Sequence, residues 1–444
     1  MEMTLAPEAV GPVSHKTRDE LADWDLGRLT PMPSHVPPGW DLLRLTSVAK
    51  LESGHTPSRR NRAYWTGAIP WVSLHDSAAL DVPKISSTAQ TISKLGLDNS
   101  SARLLPKGTV IFSRTATVGK ATVMGCDMAT SQDFANYVCG ERVHNHYLVH
   151  LFRFMAPEWK RLMAGSTHNS IYMPVFQKLQ VLLPPIAEQE SIAEALSDSD
   201  AFIESIEKLI VKKRSLKQSA MQELLTGRKR LPGFSGQWRI KSLGDLFKFS
   251  GGFSASREQL SSEGHCYLHY GDIHMSTKAF IDVRTEHQDI PKLNVPLKRV
   301  SPASLLEDGD TVFVDASEDD EGTSRHVIVL NKDRIPFISG LHTIVAKSKT
   351  SELEHRYRRY CFQTTEIKRQ FRFFAVGTKV SGISKTNIAR IMLPIPEPDE
   401  QIAIADILSD MDVEVAALEA KLSKARQLKQ GMMQELLTGR TRLV

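Results

Sequence analysis

Two stretches of this chain repeat apolar residues at alternating steps of four and three. In the later one, Ile404, Leu408, Met411, Val415, Leu418 and Leu422 follow that spacing, and Ala425 continues it. In the earlier one the same places hold Ile192, Leu196, Ser199, Ile203, Ile206 and Ile210. This is the a/d seam of a heptad, and it predicts two long helices, each with one apolar stripe. Each stretch starts from proline-rich sequence and then runs almost free of Pro and Gly. Thr226-Gly227 and Thr438-Gly439 predict the ends, glycine being the usual left-handed cap. A helix of about 36 residues is a rod of roughly 54 Å. One stripe on so long a rod needs a partner. A core helix inside one globular domain is the competing reading. Two matching seams favour mutual pairing, antiparallel, about a pseudo-twofold axis, which would carry the flanking domains to opposite ends.

The two stretches are copies. Met221–Arg228 reads MQELLTGR, and so does Met433–Arg440, 212 residues later. Leu196-Ser197-Asp198-Ser199-Asp200 matches Leu408-Ser409-Asp410-Met411-Asp412, and Glu188-Gln189 matches Glu400-Gln401, at the same offset. A gapless match of this kind marks a duplication. The sequence before each copy corresponds more weakly. Trp40, Leu45, Gly54 and Ser58-Arg59 match Trp238, Leu243, Gly252 and Ser256-Arg257; Leu104-Leu105 and Gly108 match Leu305-Leu306 and Gly309. Strand-like runs, Leu179–Pro184 and Ile391–Pro394, lead into each copy. The expected plan is an N-terminal tail (1–36), a first divergent domain (37–183), a first helical segment (184–231), a second divergent domain (232–392) and a second helical segment (393–444). The fold class expected is α+β: two globular domains joined by two long antiparallel helices, an intramolecular coiled coil.

Charge sharpens this plan. The net charge of +5 over 444 residues is mild, but it is unevenly placed. Residues 37–183 carry 16 basic and 9 acidic side chains, and residues 232–392 carry 23 and 19. The helical segments are neutral (184–231) or acidic (393–444), as is the tail. Positive charge confined to the divergent domains points to nucleic acid held there, because Lys and Arg contacts to phosphate supply affinity while base-edge contacts supply specificity. Candidate contacts lie on turn-rich loops. In the first domain they are Arg59, Arg60 and Arg62; Arg114 and Lys120, flanking Thr115–Gly119; and His168 and Asn169, ending the polar loop Gly165–Asn169. In the second they are Arg257, Arg325, His326 and Lys379. A solvated surface role competes for each residue singly; as a set they point to DNA. The acidic stretch Asp315–Glu321 would repel phosphate and reads as a solvated loop, with a carboxylate on a cytosine amino group as the alternative.

Other chemistry is missing. Thr117-Val118-Gly119-Lys120-Ala121 lacks the first glycine and the final Ser/Thr of a phosphate loop, and there is no G-x-G-x-x-G or H-E-x-x-H. His265, Cys266, His269, Asp272 and His274 crowd together, but Tyr267–Asp272 matches Trp71–Asp76, which has no cysteine, so a strand running into a turn is favoured over a metal site. Four scattered cysteines without C-x-x-C fit a reducing compartment. No stretch approaches the ~20 apolar residues of a membrane span, and a cytoplasmic protein without a membrane is expected.

The two copies of Pro-…-Glu-Gln-…-Leu-Ser-Asp-x-Asp and Gln-Glu-Leu-Leu-Thr-Gly-Arg, each after a Trp-…-Leu-…-Gly-…-Ser-Arg start and a Gly-Thr/Ser-Thr/Lys loop, resemble the specificity (S) subunit of type I restriction–modification systems over essentially the whole chain. The resemblance implies a non-catalytic subunit whose divergent domains are target recognition domains, each reading half of a split, asymmetric site in duplex DNA. It implies that the paired helices space the half-sites, and that two methyltransferase (M) subunits dock on the helical regions. S-adenosylmethionine would come with the M subunits, and ATP and magnesium with restriction (R) subunits; this chain would bind no cofactor and no metal. The competing expectations are a recognition subunit of a related methyltransferase system without type I restriction, and a coiled-coil scaffold for proteins alone.

Overall fold

A computed structural model describes residues 36–163, 169–276, 278–317, 322–377 and 380–443. The tail expected over residues 1–36 therefore lies outside the described residues but for Val36. The chain divides into two compact units: residues up to Glu207 together with those from Lys421 on, and Lys208–Ala420. Both predicted helices form, as Ile186–Leu224 and Pro398–Leu436. Each changes unit part-way, so each unit holds half of both.

The units are built to one plan. In the first, a five-stranded sheet has the order Ala49–Ser53, Phe134–Cys139, Val110–Ser113, Ala121–Met124, Lys84–Ile85, with only the last pair parallel. The second repeats it as Phe247–Gly251, Thr343–Ser348, Thr311–Val314, His326–Leu330, Phe280–Asp282, again parallel only at the end. A smaller sheet accompanies each, centred on Ile69–Val72 and on His265–Leu268. The apolar runs leading to the helices form separate two-stranded sheets: Asp41–Arg44 lies antiparallel to Gln180–Leu183, and Arg239–Ser242 to Met392–Ile395. Gly54 and Gly252, matched in sequence, share a physical reason. A Cβ on Gly54 would meet the Ser131 carbonyl at 2.2 Å, and one on Gly252 the Gly340 carbonyl at 1.7 Å, where the two sheets of each unit approach.

The first core is aromatic. Phe112, Phe152, Trp159 and Phe176 pack edge to face, with Tyr137 and Tyr147 buried beside them. Into this core the C-terminal copy of MQELLTGR inserts Met433, Leu436 and Leu437. The earlier copy inserts Met221, Leu224 and Leu225 into the second core, beside Leu243, Tyr357 and Phe362. The repeated motif is thus a core-filling helix end in both units.

The helices run antiparallel within each unit. In the first, Asp200 meets Lys429 and Glu207 meets Arg426, rising numbers facing falling ones. In the second, Asp412 meets Lys217 and Glu419 meets Arg214, the same residue types at the duplicated positions. Of the seam residues, Ile192, Leu196, Ile206, Ile210, Ile404 and Leu408 are buried, while Ile203, Met411, Val415, Leu418 and Leu422 are half-buried.

Glu188-Gln189 and Glu400-Gln401 lock each helix start. Gln189 takes the His144 N–H on its oxygen (2.9 Å) and donates to the Arg142 and Pro184 carbonyls. Gln401 takes the Glu354 N–H (2.8 Å) and donates to the Glu352 and Pro396 carbonyls. Glu188 accepts from Trp40 Nε1 (3.2 Å) and twice from Arg442 (2.6 and 2.7 Å). Glu400 accepts from Trp238 Nε1 (2.9 Å) and twice from Arg230 (2.6 and 2.7 Å). Gly227 and Gly439 are left-handed (φ 71° and 70°), as predicted for the caps, and they press against Trp238 and Trp40. Among the described residues no helix is long and apolar enough to cross a membrane.

Candidate nucleic-acid interface

In the first unit, loops from several elements are tied into one rim. His55 and Thr56 lie beside Thr130–Gln132: the His55 N–H donates to the Thr130 carbonyl (2.9 Å) and the Thr56 hydroxyl to Gln132 Oε1 (2.6 Å). Arg59, just beyond, is exposed but fixed. Its guanidinium lies 3.8 Å over the Trp65 ring and 5.2 Å from the Trp71 ring, and donates to Gln90 Oε1 at 2.9 Å. Trp65 and Trp71 stack edge to face at 4.9 Å and anchor their indole N–H groups on the Ser58 and His55 carbonyls. Arg60 and Arg62 stand exposed on the same turn, where Asn61 caps the short helix Arg62–Trp65.

Arg114, at the end of strand Val110–Ser113, is used differently. Its side chain donates to the Gln132 carbonyl (2.9 Å) and the Ile171 carbonyl (3.2 Å), clasping three loops together. Burial lowers its pKa, partly offset by Asp133. The Ala116 N–H donates to the Asn169 carbonyl (3.1 Å), so the two polar loops singled out in the sequence meet. His168 lies outside the described residues. Lys120 pairs with Asp81 and donates to the Ser77 carbonyl.

The second unit carries a comparable rim with different chemistry. Arg257 donates to Asp272 Oδ1 (3.0 Å), and His269 caps the helix Tyr270–Met275 through its own ring nitrogen. The Tyr270 ring contacts His269 (4.5 Å between centroids), His274 (6.0 Å) and His342 (5.4 Å). Arg325 donates to the His274 carbonyl. His326 does not belong to the rim, contrary to the sequence reading. It is only 7 % exposed, with its ring against Phe313 and Phe362, and burial drives its pKa down to about 4. Strand His326–Leu330 is buried on both faces through Val329, so His326 is enclosed whichever way it points, which a basic pair, Arg325-His326, concealed. Lys379 lies outside the described residues, as do Glu318–Glu321 of the acidic stretch. Among the described residues no group of three or more His, Cys, Asp or Glu side chains is placed to hold a metal.

The family model described as the type I restriction modification DNA specificity domain matches this sequence twice, over residues 37–212 and 236–426. The chain belongs to the type I DNA specificity family. Each specificity domain thus falls on one of the duplicated sheets and its helix. The MjaIX specificity subunit of Methanocaldococcus jannaschii is 26% identical over 265 residues, covering 56% of this chain and 60% of that protein. The MjaVIII specificity subunit of the same organism is 22% identical over 444 residues, covering 92% and 94%. Among solved structures, the type I S subunit from M. genitalium superposes with a TM-score of 0.53 at 14% identity, covering 89% of this chain and 96% of that one. A chain from work on complex assembly and conformational transition of the type I R-M system gives 0.54 at 17%, covering 91% and 99%. At these identities the likeness is one of fold.

The sequence singles out Arg59 but not what fixes it. Trp65, Trp71 and Gln90 carry no motif, although a tryptophan six residues after an arginine-rich turn is the aromatic interleaving that marks such platforms. His342 and Tyr270 meet on a rim assembled from segments far apart in sequence, so no local pattern brings them together.

Proposed function

We propose that this chain is the sequence-reading subunit of a type I restriction–modification complex, binding duplex DNA with both specificity domains, one half of a split site to each. The observation that carries this is the double match: two domains on one plan, each with its own loop rim and its own side-chain chemistry. Identical readers would imply a symmetric site; readers that differ, Arg59 on tryptophans in one and Asp315, His342 and Arg257 in the other, imply an asymmetric one. Exposed Arg60 and Arg62 supply phosphate contacts, and Arg59, held planar against Trp65, has the shape for guanine O6 and N7.

On this reading the chain performs no chemistry. Two methyltransferase subunits dock on the helical regions and bring S-adenosylmethionine, restriction subunits join with ATP and magnesium, and the assembly works on cytoplasmic DNA. The paired helices set the gap, and half-site centres about one DNA turn apart, ~34–36 Å, let both domains read one face. The test is duplex binding by the purified complex of this chain with its methyltransferase. Affinity should fall steeply between 50 and 200 mM salt, by roughly a thousandfold if six or more phosphates are engaged. Binding absent at low salt would leave a scaffold that meets only proteins.

A further inference from the structure

The two rims put opposite charge at one equivalent place. Arg114 follows strand Val110–Ser113, and Asp315 follows Thr311–Val314. Each has its neighbour one residue before the adjoining strand: Asp133 before Phe134–Cys139, His342 before Thr343–Ser348, with Ser113 paired to Phe134 and Val314 to Thr343. The backbone bonds agree. The Arg114 N–H donates to the Asp133 carbonyl (3.0 Å), as the Asp315 N–H does to that of His342 (3.1 Å). The Ile171 N–H donates to the Arg114 carbonyl, and the Ile383 N–H to that of Asp315, both at 2.8 Å. So Arg114 beside Asp133 in the first domain becomes Asp315 beside His342 in the second.

The two pairs behave differently. Arg114 spends its donors inside the domain on the Gln132 and Ile171 carbonyls. Asp315 and His342 face outward, one-third and about one-half exposed (33% and 48%), with His342 Nδ1 3.2 Å from Asp315 Oδ1. A contact this exposed adds little to stability. Yet His342 sits at φ 58°, a conformation a non-glycine residue adopts at a cost and which collects at functional sites. Tyr270 stands edge-on to its ring and holds the orientation.

We propose that the Asp315–His342 pair is a specificity determinant of the second domain, reading a cytosine in its half-site; this rests on the DNA-reading function proposed above. A carboxylate only accepts, so His342 Nδ1 donates to it, and in the neutral ring Nε2 is then also an acceptor. The pair presents acceptors to an approaching base. Cytosine offers only the N4 amino donor in the major groove; adenine sets an N7 acceptor beside its N6 amino donor, which a pair of acceptors leaves unmatched, and guanine and thymine offer acceptors alone. The acceptor pair also gives an acidic residue on a DNA-facing rim a use: it selects a base and contributes no affinity for phosphate.

The experiment is modified-base sequencing of DNA from cells expressing the neighbouring methyltransferase with the wild-type chain, Asp315→Asn or His342→Asn. Asparagine tolerates the left-handed backbone at 342, and at 315 it brings a donor, favouring adenine. The expected result is a wild-type split motif with a cytosine in one half. In both variants that one position should relax or shift toward adenine, with cytosine preference down roughly tenfold or more, and the other half and the gap should be unchanged. A split motif identical in wild type and Asp315→Asn would overturn the inference alone. No split motif from the wild type would overturn the DNA-reading proposal with it. Methylation abolished by both variants, with the melting temperature of the purified chain unchanged, would also overturn it, because the pair would then serve assembly and not base choice.

Discussion

At the scale of single residues, the sharpest lesson is the carboxylate pair Glu188 and Glu400. Both were visible as half of a repeated Glu-Gln, but what they do was not. Trp40 and Arg442 lie 148 and 254 residues from Glu188, a separation no local pattern bridges. Glu400 is 1 % exposed and accepts three hydrogen bonds from Arg230 and Trp238. Glu400→Gln should therefore lower the melting temperature of the purified chain clearly more than Arg228→Ala, an exposed arginine two residues before Arg230; equal effects would deny the clasp its role. His326 makes a pH prediction. Its folded pKa of about 4 lies below the ordinary value of about 6.5 because burial penalises the charged ring. As pH falls through that window the unfolded chain takes up a proton that the folded chain refuses, so stability is lost, up to about 3 kcal/mol. His150, pushed to about 3 chiefly by burial, adds a loss of the same sign in the first unit. Thermal melts from pH 7 to 4.5 should show wild type losing more than His326→Gln over the interval; parallel curves would contradict the assignment.

At the scale of elements, the helices were the most legible part of the sequence, because heptad spacing, a duplicated motif and paired Thr-Gly caps all spoke for the same boundaries. The order of the sheet strands was not legible. The strands are short, buried on both faces and mostly paired across long gaps, so neither alternation nor turn residues announce their order. Nor was it legible that each copy of MQELLTGR fills a core, since the stripe of a pairing helix and the end of a core helix look alike in one dimension. Leu437, fully buried in the first core, gives the test. Leu437→Ala should cost about 2–5 kcal/mol, and hydrogen exchange should quicken across the strands of the first unit, not the second. The mirror variant, Leu225→Ala, should do the reverse. Exchange that quickens in the other unit would contradict this packing.

At the scale of the whole molecule, the duplication joins fold to function. On the proposed reading, two similar domains with dissimilar rims make a reader of two different sequences, with the helices setting the gap. Inserting one heptad into each helix, after Glu207 and after Ala420, adds about 10 Å to both. On the proposed reading this widens the gap by about three base pairs, at 3.4 Å each, and leaves both half-sites as they were; a changed half-site with an unchanged gap would refute it. The measurement that bears most directly on the central claim is modified-base sequencing of DNA from cells expressing this chain with its neighbouring methyltransferase, against cells lacking only this chain. The account predicts a split, asymmetric methylation motif that disappears when the chain is absent. A methylome that is the same with and without it would contradict the claim that this chain chooses the site.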